Sequence, residues 1–490
     1  MAIKNSIGQG KNSGATRMMK LSFLCIIMLI LSLPALSEMG TSNLPRQQTV
    51  YHRWNVVQAQ TSGIQPLGTI YLDNGIVRVG INLDWGGGIS EIVYKGKNIV
   101  NNDDPGRLIQ ISFYDGGDYY NNLDTSDPNW GWNPVQGGDK YGHGSGVISF
   151  TQSASKIYTK CQPCEWNPDN KGGGPSLLVR SDCYFEQWVS LDKKKPELIK
   201  VTYKLTHLGT DEHLLAGQEF PCVYVNSEFD RMIIYRGLSP WTNSAVTEES
   251  VPIFPNTGNW YSPEYWAALV NSENLGLAVY TPWQNCYPGC VGTLMPGGGT
   301  NYFRPTILYS IGERAVVCAT IYLVVGDYTK SREGIYALHR KEHPKTEWGF
   351  NSKFNWAEGW NSWNQLTSLK VSGGKLATSS TGGDPYMGYQ FDLSIPAESY
   401  PKIEMKMKTS AGVGGCVYFI TVTDTKWDEN KVIRFSLKPG NKFRKYVLNM
   451  NNSPTWTGTI KKIRLDPTNT ASDIEIDYLR FMQSRRRPNG

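Results

Sequence analysis

Apolar and polar residues alternate in short runs along most of this chain, and turn-forming residues break the runs at close intervals. Alternation with period two is the signature of strands buried on one face. Residues 68–83 hold two such runs around Asp73-Asn74-Gly75, which predicts a hairpin. Further strands are predicted over 89–94, 181–191, 198–208, 275–280 and 315–325, with 181–191 and 198–208 paired across the Asp192-to-Pro196 turn. One helix is predicted, over 331–340, followed by a polar linker at 341–345. Residues 103–146 lose the alternation and fill with Gly, Asp, Asn, Tyr and Trp, which predicts a long functional loop system. Residues 348–482 open with Trp348, Phe350, Phe354, Trp356, Trp360 and Trp363 and close on alternating runs at 460–467 and 473–481.

These elements predict an all-β protein: a large antiparallel β-supersandwich over 66–345, then a smaller β-sandwich of jelly-roll type over 346–484. Helical segments do not alternate with the strands, which argues against a parallel α/β fold, and no repeat of propeller length occurs. At 490 residues the chain can bury a core in each part. Its 50 Gly, 27 Tyr and 16 Trp fit strands joined by many turns.

The amino-terminal 37 residues read as an export signal, with Met18-Met19-Lys20 before the apolar run 21–33 and Ala35-Leu36-Ser37 at the cleavage position. A polar segment, 38–65, follows, and 485–490 is a basic tail. The mature protein is therefore expected to be extracellular or periplasmic, monomeric, and without a membrane span. Export makes disulfides the default for the cysteines: Cys161, Cys164, Cys183, Cys222, Cys286, Cys290 and Cys318 in the first part and Cys416 in the second. The net charge of +6 is spread out, with no basic stripe of the kind that binds nucleic acid. No metal ligand set and no cofactor motif is identified; the Asp- and Asn-rich loops allow a structural calcium ion, without EF-hand spacing.

Aromatic side chains at 12% also suit stacking on sugar rings. Glycoside hydrolysis needs two carboxyl groups flanking the scissile bond. Glu219, among Phe220, Pro221 and Val223, is the leading acid; the competing reading is a strand carboxylate paired with an arginine or lysine. Glu186, Asp139 and Glu264 are candidates for the second carboxylate. His143 and Tyr224 would serve as bases in a β-elimination, with Arg107 clamping a uronate. Trp130, Trp132, Trp266 and Trp283 are candidate stacking platforms, each weighed against ordinary core packing.

The early hairpin, the stretch Trp85-Gly86-Gly87-Gly88-Ile89-Ser90-Glu91-Ile92, the turn Tyr94-Lys95-Gly96-Lys97 and the later long strand pair together resemble the galactose-mutarotase-like β-supersandwich. The resemblance implies a scaffold that places a sugar against one sheet face. It does not imply the mutarotase reaction, because no histidine pair stands at a matching position. The carboxy-terminal part is similar to carbohydrate-binding jelly rolls. The expectation is a secreted enzyme that cleaves glycosidic bonds by carboxylate acid–base catalysis, with a polysaccharide lyase and a non-catalytic glycan binder as alternatives.

Overall fold

The structure is a computed structural model that describes residues 55–58, 67–116, 131–251, 258–282, 286–293, 299–342 and 344–484. The export signal, most of the polar segment, the basic tail, Trp130 and Trp283 lie outside the described residues. The fold is all-β: four antiparallel sheets and, among the described residues, one α-helix of more than a turn, Tyr328–Glu342.

The first two sheets, of fourteen and nine strands, use residues 55–327. The predicted hairpin is present, Thr69–Asp73 against Val77–Asn82, with Gly75 at φ 82° supplying the left-handed turn position. The pair Cys183–Leu191 and Leu198–His207 runs in register from Cys183 opposite His207 to Leu191 opposite Ile199. Along Cys183–Leu191 every second residue is buried, as the sequence period requires. The two sheets meet face to face, Phe113 of the larger touching Phe185 of the smaller at 5.6 Å, and Phe220 touching Tyr203 at 5.8 Å. The helix closes a second, smaller core on the outer side of the nine-stranded sheet, where Ile335 packs with Trp266, Tyr280 and Tyr322.

Residues 347–482 form two six-stranded sheets. Trp348, Phe350 and Trp360 are core residues between them, and Trp348 meets Trp360 and Tyr389 edge to face. Phe354 instead reaches Trp188 of the larger sandwich at 4.8 Å. The strand Thr306–Ile311 touches the smaller sandwich through a hydrogen bond from Asn361 Nδ2 to Ser310 Oγ, 3.0 Å.

The disulfide expectation is corrected for the described cysteines; the side chains of Cys286 and Cys290 lie outside the described ones. Cys161, Cys164, Cys183, Cys222, Cys318 and Cys416 are all free thiols, and the first five are buried. They sit on separate strands, Cys161 and Cys183 in the core between the two large sheets, and burial raises their thiol pKa. No helix among the described residues is long and apolar enough to cross a membrane.

Candidate functional site

Glu219 lies on the long strand His213–Asn226 and is buried. Its Oε1 accepts from the Tyr302 hydroxyl at 2.7 Å and from Arg304 Nη1 at 3.0 Å. Tyr224 packs on Tyr302 with ring centroids 4.6 Å apart, so Glu219 and Tyr224 belong to one cluster. Burial first, and then the Glu219 charge, push Tyr114 and Tyr302 well above the usual phenol range; Tyr224 is raised by burial, then by Cys222 and Glu219. The cluster is one carboxylate, one guanidinium and three neutral phenols. None of the described partners of Glu219 is a carboxylate.

The other residues singled out in the sequence are dispersed. Glu186 stands on the outer side of the nine-stranded sheet, paired with Lys204 Nζ at 2.6 Å and accepting from Tyr158. Asp139 and His143 do meet, Oδ2 to Nδ1 at 2.8 Å, but Asp139 also accepts the backbone N–H groups of Tyr141 and His143, which is turn chemistry. Burial raises the Asp139 carboxyl pKa against those hydrogen bonds. Arg107 pairs with Asp104 at 2.6 Å and Asp103 at 3.5 Å within its own loop. Glu264 is fully buried, accepting from Arg332 Nη2 at 2.9 Å, Tyr336 and the Trp266 indole. Trp132 and Trp266 are fully buried, so neither ring offers a face to a sugar here.

An open aromatic surface lies instead on the smaller sandwich. In the sheet that contains Trp360–Asn364, Tyr386–Tyr389, Thr459–Asp466, Gly414–Thr421 and Val432–Ser436, the residues Met387, Leu465, Val417 and Ile433 point inward and are buried. Register then puts Gly388, Arg464 and Tyr418 in one outward row, and Asp466, Cys416 and Arg434 in the next. Arg464 is flanked by the Tyr386 ring, 3.6 Å from its centroid, and the Tyr418 ring at 4.6 Å. Its Nε and Nη2 donate to the two oxygens of Asp466 at 2.7 and 2.6 Å, which fixes the guanidinium plane. Trp363 lies over Gly388, the one residue at that position whose lack of a side chain leaves room for the indole, and Trp427 meets it edge-on at 6.0 Å. Trp363, Trp427, Tyr386 and Tyr418 are all half-exposed.

A second unanticipated group sits at one edge of the larger sandwich. Asp182 immediately precedes Cys183–Leu191, His207 ends its partner strand, and His213 begins the strand that carries Glu219, with Asp211 in the turn between the histidines. The two Nε2 atoms face each other at 3.2 Å. His207 Nε2 is 3.4 Å from Asp182 Oδ2 and 3.6 Å from Asp211 Oδ1; His213 Nε2 is 3.8 Å from Asp211 Oδ2. On the far side of each ring, His207 Nδ1 meets the Gly312 carbonyl at 2.9 Å and His213 Nδ1 meets Asp115 Oδ2 at 3.0 Å. Trp132 stacks flat on His213 at 3.8 Å and donates its indole N–H to Asp182.

Fold and surfaces together define an all-β protein of two sandwiches, the smaller carrying an open aromatic and ionic face. No protein-family description matches the chain, and no curated protein matches it. Distant likenesses to solved structures exist. The Slr1438 protein from Synechocystis is 12% identical, covering 57% of this chain and 99% of its own, at a TM-score of 0.34. A variant of a family 29 carbohydrate-binding module, complexed with cellulohexaose, is 14% identical over 25% of this chain and 80% of its own, at 0.19. The 4-alpha-glucanotransferase from Thermococcus litoralis is 9% identical over 52% of this chain and 37% of its own, at 0.31. Likenesses this remote carry no argument about what the chain does.

Proposed function

We propose that this is an exported glycan-binding protein and that its smaller sandwich holds a neutral polysaccharide chain across the face built by Trp363, Tyr386, Tyr418, Arg464 and Asp466. The observation that carries the reading is Arg464, set between two tyrosine rings and locked onto Asp466, beside a half-exposed tryptophan on the same sheet face. Sugar rings present apolar C–H faces and equatorial hydroxyls. Aromatic rings take the first, and a fixed guanidinium–carboxylate pair donates to and accepts from the second. Arg464 and Arg434 are matched by Asp466, Asp384 and Glu429 nearby, a balance that favours a neutral polymer over a polyanion. The two large sheets packed face to face support a galactose-mutarotase-like scaffold for the first sandwich, and the leader-like segment before residue 38 supports export. Affinity electrophoresis against soluble β-glucan, mannan, xylan and alginate tests the reading. Retardation by a neutral polymer is expected; migration unchanged by every polymer would overturn it.

Cleavage is the second reading, and the Glu219 cluster shifts it from hydrolysis towards β-elimination. Arg304 would neutralise a uronate, the Glu219 carboxylate would take the proton and a neutral tyrosine would protonate the leaving oxygen, whereas hydrolysis would need a second carboxyl group about 5–9.5 Å away across the scissile bond. Elimination would produce the ultraviolet absorbance of an unsaturated uronate. Reducing ends released without that absorbance would support hydrolysis instead.

A further inference from the structure

We propose that Asp182, His207, Asp211 and His213 bind one divalent transition-metal ion, with zinc as the best fit, and that this ion staples the two sheets of the larger sandwich at one edge. The argument starts from hydrogen-bond polarity. The Gly312 carbonyl can only accept, so His207 Nδ1 carries the proton in that contact; the Asp115 carboxylate places the proton of His213 likewise on Nδ1. With Nδ1 engaged on each ring, the two Nε2 atoms are left facing each other across 3.2 Å, with carboxylate oxygens of Asp182 and Asp211 beside them. All four donor groups lie within 4.8 Å of one another. Zinc bonds of about 2.0–2.1 Å in tetrahedral geometry separate ligand atoms by roughly 3.3 Å. The Nε2–Nε2 and His207–Asp182 separations of 3.2 and 3.4 Å match that spacing, and the Asp211 oxygens stand a little farther off, Oδ1 at 3.6 Å from His207 and Oδ2 at 3.8 Å from His213.

The outer contacts point the same way. A ligating histidine commonly donates its other nitrogen to a carboxylate or a carbonyl, and here one ring does each. Trp132, flat on His213, walls the group on its core side. Two imidazoles favour a transition metal over calcium, which takes oxygen ligands. Four protein ligands leave no open position, which assigns a structural role. The ion would tie the end of Leu198–His207 in the nine-stranded sheet to the start of His213–Asn226 in the fourteen-stranded sheet.

The test uses the full chain, stripped with EDTA and titrated by calorimetry with zinc chloride alone and, in parallel, with calcium chloride. One equivalent of zinc is expected to bind, to raise Tm, and to be replaceable by cobalt with the visible absorption of a tetrahedral site. Asp211→Asn should weaken zinc binding at least tenfold while the metal-free Tm stays near that of stripped wild type. Should the variant fail to fold, the wild-type titration and the cobalt spectrum decide alone. Calcium binding in preference to zinc, no stoichiometric binding of either ion, or zinc affinity unchanged in Asp211→Asn would each overturn the assignment. Glycan retardation is a separate measurement on the other sandwich, so failure of one reading leaves the other standing.

Discussion

Replacing Trp363 by alanine removes the half-exposed indole from the proposed sugar face while leaving the sandwich core, built on Trp348 and Trp360, untouched. A central aromatic anchor of a binding surface contributes about 2 kcal/mol or more on truncation. At 1.4 kcal/mol per decade that is roughly a 30-fold loss of affinity. A second variant reaches the same indole without deleting it. Gly388 lies beneath the ring, and a Cβ built there would fall well inside the 3.0 Å below which real Cβ contacts are not found. Gly388→Ala must therefore displace the far edge of Trp363, at a stability cost of about 1–3 kcal/mol for an overpacked site. Calorimetric titration with an oligosaccharide of the retarding polymer, alongside urea denaturation, separates binding from folding. Both variants should fold and both should lose at least tenfold in affinity. Wild-type affinity in both, with folding intact, would remove Trp363 from the platform and refute the use of register to place the site.

The remaining predictions concern the ionic groups. Protonation of Asp466 breaks its pair with Arg464; burial, against the pull of Arg464, raises this carboxyl pKa, so glycan affinity should fall on acidification beginning above the ordinary aspartate range. For this group a raised folded value favours the folded state at low pH, so affinity should be lost before structure is; an affinity flat down to the ordinary range would contradict it. Glu264→Gln leaves Arg332 buried without its counter-charge and should cost about 3–5 kcal/mol in urea denaturation, with the helix Tyr328–Glu342 loosening first; a loss below about 1 kcal/mol would show that the pair is not a structural tie. Glu219→Gln should abolish any β-elimination and leave glycan retardation unchanged, whereas a change in retardation would place the sugar on the larger sandwich.

Strand positions were legible because one buried face imposes period two, and the hairpin at Asp73-Asn74-Gly75 and the pair 181–191 with 198–208 follow directly from it. The alternating run 460–467 is a strand as expected, and in it Lys462, Arg464 and Asp466 alternate with the core residues Ile463 and Leu465. What period two cannot give is which strand lies alongside, so Tyr386 and Tyr418 had no visible link to Arg464 before the register was known. The histidine group failed for a related reason. Its residues come from three strand ends and a turn, and the spacing of His207, Asp211 and His213 gains meaning only once Asp182 is folded beside them. Trp132 and Trp266 show the reverse: aromatic residues in loop-like or short strand settings are as often core as surface, and here both are buried. The expected disulfides rested on compartment rather than geometry, and the described thiols stand on separate strands.

The contact of Asn361 with Ser310 has a consequence for what could lie on the aromatic face. Asn361 and Gln390 flank the outward row of Gly388, and both hydrogen-bond to the strand Thr306–Ile311 of the neighbouring sandwich. That strand meets the surface at Asn361 and Gln390, while Asp384, near Arg464, is exposed to solvent. A glycan lying on this face would therefore run up against the larger sandwich at that edge, and substituents there would meet protein rather than solvent.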